Sequence, residues 1–232
     1  MTTNMKTFTK KKFIIYLFPI LIYLLSQIAL NNVLPIWWND KNFDDVFYTI
    51  VNLIIVLNVI IIYFWELKVI NNQLLSLKGF KLQHLFLALL IGLTVFIFNL
   101  NSSKWFSLPI TENTNTLDTI LSYSNGRFVL NGFLIWNVLL GPIREELIDR
   151  MLLMDTYFKK SPYYLDVVVS AVVFSLQHLL AGWSGQAFMI YLIPGVLYAL
   201  IYRFTGKIHW SILIHILWNG YVYYDLLCLV LS

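Results

Sequence analysis

Seven long apolar stretches organise this sequence, at roughly 13–30, 46–65, 82–100, 128–158, 163–181, 186–202 and 209–231. A helix needs about 20 predominantly apolar residues to cross the hydrocarbon of a bilayer. The 232-residue chain is therefore read as all-α, a polytopic transmembrane helical bundle of about 7–8 spans. Composition supports this reading: 59% of residues are hydrophobic and 12% charged, with a mean hydropathy of +0.73. Soluble domains carry about twice that charged fraction. The figures exclude a disordered chain, most soluble folds and a nucleic-acid partner, and make the lipid bilayer the first partner. Cys228 is the single cysteine, so there is no intrachain disulfide framework.

Cationic residues set the orientation. With the N-terminus cytoplasmic, eleven of the sixteen Lys and Arg residues fall on inner segments, from Lys6 to Lys207. Only Lys41, Lys104 and Arg127 fall outside, while Arg144 and Arg150 lie within the fourth stretch. That bias follows the positive-inside rule, and Trp37, Trp38 and Trp105 sit where outer interfacial anchors belong. The first stretch has no small-x-small cleavage site and reads as a retained span, not a signal peptide. Residues 1–127 form a three-span N-terminal region with an outer loop at 101–127, carrying an interfacial helix near 116–124. Residues 128–232 form the remaining core of a single integral membrane domain. The abundance of Ile, Asn and Lys points to an AT-rich bacterial genome, hence a multi-pass protein of a bacterial plasma membrane.

The fourth stretch breaks two rules. It is too long for one straight span, and Gly141-Pro142 interrupts it, so two helical pieces or one kinked helix are expected there. Within it, residues 144–150 crowd together five charged side chains: Arg144, Glu145, Glu146, Asp149 and Arg150. Each costs about 2.5–3.5 kcal/mol at a span centre, on the order of 15 kcal/mol together, if all face lipid. They must therefore face a protected interior and pair there. Residues four apart share a helix face, so Glu146 pairs with Arg150 while Glu145 and Asp149 share the neighbouring face. One carboxylate is then held by an arginine and another is left for chemistry.

Two later stretches carry polar groups at the same spacing, Phe174 with His178 and His215 with Asn219. Ionisable groups inside spans are functional candidates by default. Counting about 1.5 Å per residue, Glu145 and His178 fall near mid-bilayer and His215 somewhat closer to the cytoplasm. His84 and His209 sit beside Lys81 and Lys207 and read as interfacial residues.

Glu145-Glu146-x-x-x-Arg150, then Phe174-x-x-x-His178, then His215-x-x-x-Asn219, resembles the three motifs of the CPBP family. These are the CAAX-protease and bacteriocin-processing (Abi) intramembrane proteases, to which the type II CAAX prenyl protease belongs. Gly195-Val196-Leu197-Tyr198 and Thr205-Gly206 resemble a further family region, so the likeness covers roughly 128–220. Asp149 departs from it, since the family more often places an apolar or aromatic residue there.

The resemblance implies an intramembrane endopeptidase acting on a peptide or membrane-protein substrate. Glu145 would activate water and His178 would hold that water, with Phe174 packed beside it. His215 and Asn219 would donate to the oxyanion, and Glu146 with Arg150 would support the base. A cofactor stays open between none and one divalent metal, zinc. Glu145, His178 and His215 would then be three ligands, with water as the fourth, and Glu146 or Asp149 as base. There is no H-E-x-x-H, so the chain is not an ordinary zincin.

Three other classes compete. Gly182-Trp183-Ser184-Gly185 resembles the G-x-S-G of rhomboid serine proteases, but there the histidine motif precedes the serine, whereas His215 follows Ser184. Some CPBP relatives look like non-catalytic bacteriocin-immunity or scaffold proteins. A transporter would favour paired broken helices in two related halves, and only one break and no repeat are visible.

Overall fold

A computed structural model describes residues 81–106, 133–158, 161–179 and 183–231, together with eight isolated helical positions between Leu21 and Ile61. Among these residues every regular element is helical. The first two apolar stretches, apart from those isolated positions, lie outside the described residues, as does the segment proposed for an interfacial helix.

Helix α1 runs Leu82–Trp105. A chain of helical turns, Ile135–Leu140, Gly141–Glu146 (α2), Leu147–Leu152 and Met154–Phe158, carries the charged cluster. A 3-10 turn at Pro162–Tyr164 leads into α3 (Leu165–Gln177), followed by α4 (Gly185–Thr205), α5 (Ile208–Val222) and α6 (Tyr224–Leu231). Helix α4 is central, packing along α1, α3 and α5, while α5 also packs on α2.

Several boundaries differ from expectation for local reasons. Helix α1 continues past residue 100 because its polar residues bond back to their own helix: Asn101 Nδ2 donates to Ile97 O (2.8 Å) and Ser102 Oγ to Asn99 O (2.8 Å). The fifth stretch ends early, with His178 as the cap of α3. Tyr223 divides the seventh stretch into α5 and α6. At Gly141-Pro142, where two helical pieces or one kinked helix were expected, the backbone is helical on both sides. What changes is the register. Ile135–Leu140 is a π-helix and the Gly141 N–H bonds Trp136 O, five residues back. The wider register accommodates a proline that would otherwise clash with the carbonyl four residues earlier.

The bundle closes through small residues, as helices in lipid do when backbone approach rather than water exclusion holds them together. A Cβ on Gly92 of α1 would lie 2.7 Å from Ile214 Cδ1 of α5. One on Gly195 of α4 would lie 3.1 Å from the Phe174 ring and 3.3 Å from the Ala171 backbone of α3. Leu147, Ile148, Met151, Val167, Ala199 and Tyr202 form one buried cluster, and Ala88, Val95, Phe174, Tyr198, Ile201 and Ile214 another. The opposite face of α1 leaves Phe86, Leu89, Leu93 and Ile97 exposed, as a lipid-facing surface requires. By length and composition α1, over Leu82–Ser102, and α4 could each cross a bilayer; the Pro162–Gln177 helix is shorter.

Candidate active site

Four elements bring the charged cluster and the two histidine motifs to one place. Glu145 Oε2 lies 4.0 Å from His178 Nε2 and 3.7 Å from His215 Nε2. The other nitrogen of each ring is already engaged. His178 Nδ1 meets the Phe174 carbonyl at 2.8 Å. A carbonyl only accepts, so Nδ1 carries the proton and Nε2 of the neutral ring presents a lone pair toward Glu145. His215 Nδ1 meets Glu146 Oε1 at 3.0 Å and donates to it. In the neutral ring its Nε2 likewise faces Glu145 as an acceptor.

Three acceptor atoms therefore converge at distances too long for mutual hydrogen bonds and suited to a small donor held beside them. Among the described residues, the site is most open at Glu145 and His178. The side chains of Glu145 and His178 are 14% and 23% exposed, against 4% for His215 and 0% for Glu146.

Arg150 is the buried hub behind this triangle. Its Nε lies 3.2 Å from Glu146 Oε2, its Nη1 3.4 Å from Asp149 Oδ2, and its Nη2 donates to Gly195 O at 3.3 Å. The guanidinium stacks over the Phe174 ring at 4.5 Å. That ring in turn lies 4.6 Å from His178 and 5.6 Å from His215. Glu146 thus bridges Arg150 and His215, while Glu145, one residue earlier on the helix, is left facing the opening. Arg144 is also buried and lies over the Trp136 ring at 4.2 Å.

Asn219 takes a different position from its expected neighbours. Its Nδ2 donates to the main-chain carbonyl of Asn137 at 2.7 Å. In the π register the partner of that carbonyl would be residue 142, a proline with no N–H, and the Gly141 N–H is already spent on Trp136 O. Asn219 supplies the missing donor from α5 and ties it to the turn before Glu145. Replacing it by Asp, nearly identical in shape but unable to donate, should lower stability as much as Asn219→Leu. The expected loss is about 1–3 kcal/mol for an orphaned buried carbonyl, read from detergent unfolding curves.

Ser184, the serine of the rhomboid-like sequence, caps α4, its Oγ accepting from the Ala187 N–H at 3.3 Å. Among the described residues, no group of three or more His, Cys, Asp or Glu side chains is arranged to hold a metal ion, the Glu145, His178 and His215 set included.

Sequence reasoning missed Tyr191 at the site and gave Tyr198 no role beyond its place in the Gly195-Val196-Leu197-Tyr198 likeness. Tyr191 stacks on His178 (4.2 Å, 21°) and Tyr198 on His215 (4.6 Å, 19°). They are seven residues apart on α4, two turns along one face, and that spacing was the available signal. The Tyr198 hydroxyl is buried with no hydrogen-bond partner among the described residues. Tyr198→Phe should therefore leave turnover within about twofold of wild type, whereas Tyr198→Leu removes the stacked ring and opens a cavity, costing about 3 kcal/mol. Parallel activity and unfolding measurements check both.

No curated protein and no solved structure matches the chain. Residues 128–221 match the family model described as Type II CAAX prenyl endopeptidase Rce1-like. The match spans every residue of the charged cluster, His178, His215 and Asn219, and over this region the chain is similar to that protease family.

Proposed function

We propose that the protein is a multi-pass intramembrane endopeptidase that hydrolyses peptide bonds with a water molecule activated by Glu145. The observation that carries this reading is the convergence of Glu145 Oε2 on two imidazole Nε2 atoms, at 4.0 and 3.7 Å, from separate helices. A water beside Glu145 gives one O–H to the carboxylate and the other to His178 Nε2. As its oxygen attacks the peptide carbonyl, the first proton passes to Glu145 and the carbonyl oxygen becomes an oxyanion. His215 takes up a proton from solvent at Nε2 before the attack, keeps Nδ1–H on Glu146, gives Nε2–H to that oxyanion and retains both protons when the oxyanion collapses. The second amide proton of Asn219, not used on Asn137, is the other donor. Glu145 then returns its proton to the leaving amine as the C–N bond breaks. A positioned base supplies about 10²–10⁴ in rate and each oxyanion donor about 10²–10³.

The substrate in this reading is a peptide or a membrane-associated protein segment, reached from the open side at Glu145 and His178. The spans beyond α1 and α4, and the bacterial plasma membrane, belong to the same proposal. In this reading no step is routed through a metal. Purified protein treated with a chelator should retain cleavage of a labelled peptide library, with less than stoichiometric metal by elemental analysis. Loss of cleavage restored by zinc would replace this mechanism with a metal-assisted one. Equal cleavage by wild type, Glu145→Ala and His178→Ala would sink the site assignment altogether.

A further inference from the structure

Asp149 is the acid of the cluster that the proposed reaction leaves unused. It is fully buried and lies four residues after Glu145 on the same helical chain. Its carboxylate accepts from Gln177 Nε2 at 3.0 Å and faces Arg150 Nη1 at 3.4 Å. Its main-chain carbonyl accepts from Ser170 Oγ at 2.6 Å. Ser170 and Gln177 are seven residues apart on α3, on one face and two turns apart. Residue 149 is therefore fixed to α3 at two points.

The upper point is the one that matters for chemistry. Gln177 is the last residue of α3, and His178 is its cap, with its N–H on Ser175 O at 3.2 Å. Beyond a helix end, the placement of a residue depends on how the last turn is held. From these contacts we infer that Asp149 is a positioning residue for His178, acting through Gln177 to set the gap between His178 Nε2 and Glu145 Oε2. The helical chain that carries the base thus also holds the base's histidine partner. This role rests on the proteolytic reading given above.

A polarity swap tests it. Asp149→Asn removes the charge facing Arg150, but the Gln177 amide can turn over to accept from the new N–H, so this variant alone keeps the contact to α3. Gln177→Glu sets a carboxylate against a carboxylate. Gln177→Glu should lose on the order of tenfold to a hundredfold in kcat, the scale of a misplaced catalytic group, with KM within about twofold of wild type, and Asp149→Asn should lose less. In Asp149→Asn/Gln177→Glu, the amide at 149 donates to the carboxylate at 177 and accepts from Arg150. The double variant should recover kcat to within about threefold of wild type and recover the unfolding midpoint of the wild-type protein.

Cleavage by wild type together with a double variant no better than Gln177→Glu, or Gln177→Glu at full kcat, overturns the positioning role alone. Wild type indistinguishable from Glu145→Ala overturns the proteolytic reading and the positioning role with it. Asp149→Leu/Gln177→Leu, which removes both polar groups, controls for charge: it should fold yet stay slow, and full kcat in that variant also overturns the role.

Discussion

Glu145→Gln should abolish peptide cleavage while leaving the protein as stable as wild type, and Glu146→Gln should damage both. The two residues are adjacent, yet their surroundings differ. Glu145 is partly open to the site, and its contacts to His178 and His215 are 4.0 and 3.7 Å, longer than hydrogen bonds. An amide fits the same space, but it has no basicity with which to take a proton from water. The expected loss in kcat is about 10³-fold, within the range for a positioned general base, with KM little changed. Glu146 is wholly buried and holds both Arg150 at 3.2 Å and His215 at 3.0 Å. Glu146→Gln removes the charge facing Arg150 and leaves one acceptor oxygen, which cannot serve Arg150 and the His215 ring together. Its unfolding midpoint should fall along with its rate. Kinetics and unfolding measured on the same two preparations separate the roles; a stable, active Glu145→Gln enzyme would eliminate Glu145 as the base.

The contrast between these neighbours was legible in the sequence, because helical spacing already pairs Glu146 with Arg150 and leaves Glu145 on another face. The helical fold class and the location of the site were legible for a similar reason: charges crowded into an apolar stretch must be gathered somewhere protected. Register was not legible. Pro142 marks a disturbance, but nothing in the local pattern says that the chain will absorb it as a π turn rather than a break. The consequence for Asn219 follows only from that register, since it is the π spacing that pairs the Asn137 carbonyl with a residue lacking an N–H. Asp149 was visible as an extra acid. Its partner Gln177 was hidden because a contact across 28 residues depends on how α3 packs, and that packing turns on the absence of a side chain at Gly195. Local periodicity fixes which residues share a face; it does not fix which face meets which.

Arg150→Leu should be the most damaging single change in the bundle. Arg150 is one cation serving two buried carboxylates, Glu146 and Asp149, and a backbone carbonyl, Gly195 O. A leucine fills part of the volume but leaves two acids without their counter-charge in a site that excludes water. Breaking a buried pair by removing one partner costs about 3–5 kcal/mol, and here one deletion strands both acids. Arg150→Leu is therefore expected to accumulate poorly in membranes and to unfold at much lower denaturant than wild type. Arg150→Lys separates charge from geometry. It restores one positive charge, but a single ammonium lacks the planar fork that meets Glu146, Asp149 and Gly195 together and lies flat on Phe174. Arg150→Lys should recover most of the membrane yield while turnover stays at least about tenfold below wild type, because the His215 contact runs through Glu146. The decisive comparison adds Asp149→Leu to Arg150→Lys. With one acid removed, the ammonium serves Glu146 alone, and stability should rise above that of Arg150→Lys; a further fall would mean that Asp149 is not a burden on the arginine's charge.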